Sequence, residues 1–105
     1  MFVTVTTTRG SPELPVETAT FAGEEMLPWL RQIDGFEGLL MLTNEAEGKT
    51  LAVSFWESQE AADKHRVART RFRDRVTSAV GVQVEDVTDY EVTFADLGSV
   101  TNRIP

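Results

Sequence analysis

Few side chains in this sequence could carry out chemistry. The chain has one histidine, His65, and no cysteine, which excludes disulfides, thiolate nucleophiles and cysteine-based metal sites. Six of its ten basic residues, Lys64, Arg66, Arg69, Arg71, Arg73 and Arg75, fall within twelve positions around and after that histidine. Spread round a helix, most of these charges must face water and pair with acidic neighbours or with a partner subunit. One on the inner side could instead hold an anionic substrate, and Arg69, which adjoins the apolar stripe, is the candidate. His65 lies on that stripe between Ala61 and Ala68. It acts either as a hydrogen-bonded packing group or as a pocket-lining acid, base or ligand. With no second ligand beside it, a metal site is not expected. Paired carboxylates at glycosidase spacing, a glycine-rich phosphate loop and a nucleophile triad are all absent.

Trp56 marks a second candidate feature. Ala52, Ser54 and Trp56 alternate with Leu51, Val53 and Phe55, so they share one face of a strand. Small residues beside a Trp either let a helix pack closely or leave a flat apolar pocket. Such a pocket would be floored by Trp56 and walled by Trp29, Met26, His65 and Phe72. There desolvation would keep His65 neutral and able to accept a proton from a phenolic or enolic substrate, while Arg69 stabilised the anion. The row Thr4, Thr6 and Thr8 reads as strand propensity rather than as a hydroxyl array.

These residues are positioned by six elements. Phe2 to Thr8 is β-branched and stops at Arg9-Gly10-Ser11-Pro12, which predicts a strand and a turn. From about Val16 to Ile33, apolar Ala22, Met26, Trp29, Leu30 and Ile33 recur at helical spacing. Pro28 removes one backbone donor and bends the last turn of this helix, and Asp34-Gly35 ends it. Phe36 to Asn44 and Lys49 to Trp56 form a hairpin about Glu45-Ala46-Glu47-Gly48. Ser58 is a natural N-cap for a second helix, whose stripe is Ala61, His65, Ala68, Phe72, Val76 and Ala79 and whose end is Gly81. Val82 to Phe94 is a last strand, with a change of phase near Glu85-Asp86 that predicts a bulge. Leu97 to Pro105 is expected to be a loose tail.

The order βαββαβ predicts an α+β, ferredoxin-like domain, with two helices on one face of an antiparallel sheet. Leu39-Leu40-Met41-Leu42 is apolar on both faces, so the second face also needs a cover. A homodimer joined through the sheet faces and the last strand supplies it, with Tyr90, Val92 and Phe94 buried there. A length of 105 residues fits one domain, over about residues 1–96, and 41% hydrophobic residues suffice for one core. A net charge of −7 argues against a general nucleic-acid binder. No apolar run reaches the ~20 residues that cross a bilayer, and the start lacks a signal-peptide layout, so a cytoplasmic location is expected.

Two stretches carry a resemblance. Asp34-Gly35-Phe36-Glu37-Gly38, then a hairpin and Ser54-Phe55-Trp56-Glu57-Ser58-Gln59-Glu60-Ala61-Ala62, resemble the antibiotic-biosynthesis-monooxygenase-like family of dimeric α+β barrels. The resemblance spans about residues 1–96. It implies a homodimer with a pocket in each subunit for a small apolar or aromatic molecule. For the cofactor-independent branch it implies oxygenation of phenols with no bound cofactor, through a Trp, an Asn four residues earlier and a helix arginine. Trp56 matches that pattern, and Ala52 stands at the Asn position. The haem-degrading branch has an Asn in strand one and a Trp and a His along the second helix; this chain has no Asn before Asn44 and no Trp in that helix. A non-catalytic binding or assembly module of the same fold is the alternative function.

Overall fold

The computed structural model describes residues 1–10 and 17–100. Along the chain run β1 (Phe2–Arg9), α1 (Glu17–Leu30), β2 (Phe36–Asn44), β3 (Lys49–Trp56), α2 (Gln59–Lys64), α3 (Arg66–Val80) and β4 (Gln83–Glu91). The four strands form one antiparallel sheet in the order β2-β3-β1-β4. The helices pack on one face, giving the ferredoxin-like α+β arrangement that the element order predicts. The proposed turn at Ser11-Pro12, the Val16 start of the first helix and residues 101–105 of the tail lie outside the described residues.

Local signals fix the joints. Beyond Pro28 the first helix closes in tighter turns, with the N–H groups of Gln32 and Ile33 donating to Trp29 and Leu30 carbonyls. Gly35 follows at φ 87°, and a Cβ there would lie only 2.4 Å from the Cβ of Ala61, so backbone and α2 touch where only glycine fits. Ser58 caps α2 as its type predicts, accepting the Ala61 N–H at 3.1 Å. The predicted bulge is also present: Thr7 pairs with Asp86 but Thr8 with Val84, leaving Glu85 as the extra residue. Glu85 turns to meet Arg9 at 2.6 Å, tying β4 to the end of β1.

Three expectations need correction. The second helix is not continuous: His65, at φ −118° and ψ 27°, leaves the helical region and divides it into α2 and α3. That break changes the phase of the helical face. Ala68 and Ala79, predicted to face inward, are exposed, while Arg66, Arg69, Phe72, Arg73 and Val76 are half-buried. The last strand is also shorter than predicted, ending at Glu91. Val92 adds one more bond, to the Met1 carbonyl, and Phe94 lies beyond it, 87% exposed in the single chain, with Tyr90 at 54%.

The helix side of the sheet holds the core. Trp56 is fully buried beside Leu30 and Ala62, with Phe36 edge-on to its indole at 5.5 Å. On the opposite face Val3, Val5, Val53 and Phe55 run together across paired strands, and Leu42 in the same set is 45% exposed.

Candidate functional site

Over the centre of the sheet the side chains are small. Thr4, Thr6 and Thr8 of β1 and Ala52 and Ser54 of β3 point at the helices, and above them lies a cavity of about 140 Å³. Met26 and Trp29 of α1 and Phe72 and Val76 of α3 form its roof. Trp29 and Phe72 stack with ring centroids 4.7 Å apart, closing the seam between the two helices. Two of the threonine hydroxyls turn toward protein partners: Thr4 donates to Asp89 at 2.8 Å and Thr8 to the Thr50 carbonyl at 3.4 Å. The predicted preference for strand propensity therefore missed a role, since the row forms the floor of the cavity.

Arg69 closes one end. Its guanidinium lies 4.2 Å from the centroid of the Trp56 ring, donates to Thr4 Oγ1 at 3.0 Å and also donates to the Ala62 carbonyl. Burial, followed by the positive charge of Arg66, pushes its pKa down to about 10, which leaves it charged at neutral pH. Asp89 stands on β4 opposite Thr4. Burial alone would raise its pKa, but the bonds from Thr4 and Arg66 outweigh that and hold the carboxylate below its ordinary value. Arg66 bridges Asp89 at 2.6 Å and also pairs with Asp63, so its own pKa is raised by those bonds. Under the Arg69 guanidinium, the Trp56 indole N–H donates to Ser54 Oγ at 2.9 Å.

Arg73 is placed differently. It also lines the cavity and its side chain is only 22% exposed, yet the carboxylate it meets, at 3.0 Å, belongs to its chain neighbour Asp74, which is 60% exposed. Among the described residues Arg69 is thus tied into the protein, whereas Arg73 meets only the carboxylate of its exposed neighbour. The one acidic side chain on the cavity wall among the described residues, Glu45, sits at the far end of the sheet in the hairpin turn.

Of the residues singled out in the sequence, Arg69, Trp29, Met26, Phe72 and Ser54 come together round this cavity. Trp56 does not line it but lies beneath Arg69, fully buried. His65 does not line it either. It ends α2 and begins α3 at the helix break, its carbonyl accepting the Arg69 N–H at 2.9 Å. Sequence reasoning missed Arg73 and Asp89. The spacing of Arg66, Arg69, Arg73, Val76 and Val80 is a helical stripe in its own right, but a stripe of alanines competes with it. Among the described residues, no three His, Asp or Glu side chains gather as a metal-binding group, and no helix is long and apolar enough to cross a membrane.

No family model and no curated protein matches the chain by sequence. Solved structures do match in fold. A candidate antibiotic biosynthesis monooxygenase from Deinococcus radiodurans is 22% identical, with a TM-score of 0.65 over 91% of this chain and 96% of that one. A monooxygenase from the gene ActVA-Orf6 of Streptomyces coelicolor, in complex with nanaomycin D, is 20% identical, with a TM-score of 0.64 over 93% and 92%. SnoaB, a cofactor-independent oxygenase from Streptomyces nogalater, is 14% identical, with a TM-score of 0.60 over 90% and 92%. The chain has the fold of the antibiotic biosynthesis monooxygenases.

Proposed function

We propose that this protein is a cofactor-independent monooxygenase that binds a phenolic or enolic molecule as its anion in the cavity under α1 and α3. The observation that carries this reading is charge placement. In a chain of net charge −7, three arginines of α3, Arg66, Arg69 and Arg73, border a cavity with an apolar roof and a floor of threonines. An apolar wall selects an aromatic or aliphatic body, and a cation in a poorly solvated wall favours the ionised form of an acidic hydroxyl. Arg73 holds the substrate oxygen, Arg69 adds positive potential behind it, and the proton leaves to water.

The electron-rich ring carbon of a phenolate can then bond to molecular oxygen. One oxygen atom becomes the second carbonyl of a quinone; the other leaves as water with the hydrogen lost from that carbon and the phenolic proton. The substrate supplies all the electrons, so no reductant is required. The sheet face away from the described helices, with half-buried Val5, Val53 and Phe55, supports a homodimer in which a second copy covers it.

A binding module without catalysis is the second reading, favoured by Ala52 at the position where the oxygenase pattern has Asn and by a cavity wall without histidine. Oxygen uptake by the purified protein on a panel of phenols and enolisable ketones, with isotopically labelled oxygen, decides between them. Label in the product without added reductant supports the oxygenase, and Arg73→Gln should abolish it. Ligand binding without oxygen uptake by any member of the panel rejects the oxygenase and supports the module.

A further inference from the structure

The cavity is small as well as charged. Its volume is about 140 Å³, close to the roughly 150 Å³ of an apolar protein cavity that holds a single benzene molecule. Two contacts keep it at that size. Trp29 and Phe72 are already stacked on each other, so a larger ring system would have to part them and forfeit that contact. At the side, α1 lies close on β2: a Cβ on Gly23 would lie 3.3 Å from Met41 Cγ, so helix and strand already meet there.

We infer that the ligand of this site is a single-ring phenol, or an enol of that size, and that fused three-ring compounds are rejected. This rests on the proposed anion-binding cavity and adds its size limit. The ring lies between the threonine floor and the stacked pair, with its hydroxyl toward Arg73. Larger aromatics bring more apolar area, and area alone would favour them; the closed seam opposes that gain because parting Trp29 from Phe72 forfeits their ring contact.

The test is a graded titration of the full chain with 4-methylphenol, 2-naphthol and 1-anthrol, followed by calorimetry and by tryptophan fluorescence. Affinity should fall along the series, with 1-anthrol at least tenfold weaker than 4-methylphenol despite its greater apolar surface. Phe72→Ala should shrink or reverse that ratio by unstacking Trp29, and Met26→Ala, which leaves the stack in place, should shrink it less. If 1-anthrol binds the parent protein as tightly as 4-methylphenol or tighter, the size limit is wrong while the anion-binding cavity stands. If none of the three binds, the cavity is not a phenol site and both readings fall.

Discussion

Replacing Arg69 by Met keeps an unbranched apolar stem and removes the guanidinium with its charge. The structure gives the terms of the loss. A charge-assisted bond to the Ala62 carbonyl is worth roughly 1.5–3 kcal/mol. The bond to Thr4 Oγ1 adds about 1 kcal/mol, and stacking of a desolvated guanidinium over Trp56 adds about 2 kcal/mol. Opposing them is the cost of holding a cation in the core, which the lowered pKa registers and which Met relieves. The net loss should be on the order of 2 kcal/mol, or about 10 °C in Tm for a chain of this size. Arg73→Met should cost less than about 1 kcal/mol, because its carboxylate partner is exposed and contributes little. Urea unfolding followed by tryptophan fluorescence measures both. If Arg69→Met unfolds within about 0.5 kcal/mol of the parent, the error of such a measurement, or if Arg73→Met is as damaging, the division between a tied and a loosely held arginine is refuted.

Other consequences follow from the same contacts. Asp89 has a pKa lowered in the folded state, so the unfolded chain binds more protons in acid: its contribution is present above the ordinary aspartate value of 3.8 and is lost as pH falls below it. Asp89→Asn should therefore be less stable than the parent at pH 7 and converge toward it near pH 2, as acid titrations of Tm would show. Gly35→Ala combines a left-handed φ with a Cβ 2.4 Å from Ala61 and should cost at least about 2 kcal/mol; a second change, Ala61→Gly, should recover part of it in the same urea assay. Sedimentation at low micromolar concentration should give about twice 11.7 kDa, and Val53→Lys, on the sheet face away from the described helices, should yield monomer or unfolded chain; an unaffected dimer would remove the sheet face from the interface.

Much of the architecture was legible because it depends on short-range signals. Alternation, Ser58, Gly81 and the phase change at Glu85 each act within a few residues, and each element they predict is present. Met26, Trp29, Ser54 and Phe72 reach the cavity for the same reason, since periodicity places them on inward faces. The helix break at His65 was not legible. Nothing in Asp63-Lys64-His65-Arg66 forbids a helix, and a continuous helix would put His65, rather than Arg73, beside the sheet. Once α3 is turned, long arginine stems cover apolar surface while their heads find Thr4, Asp89 and the Trp56 ring. Those partners lie on β1, β3 and β4, distant in sequence, so no local pattern could choose among six cations.

The central claim is that the arginine-bordered cavity stabilises a phenolate. It is tested most directly with 4-nitrophenol, a single-ring phenol whose anion is yellow. Its ionisation should be followed by absorbance against pH, free and in the presence of saturating protein. The bound phenol should ionise at lower pH than the free one, by about one unit, or ~1.4 kcal/mol of preference for the anion, and Arg73→Gln should remove most of that shift. A bound 4-nitrophenol that ionises at the same pH as in water, or higher, would contradict the account.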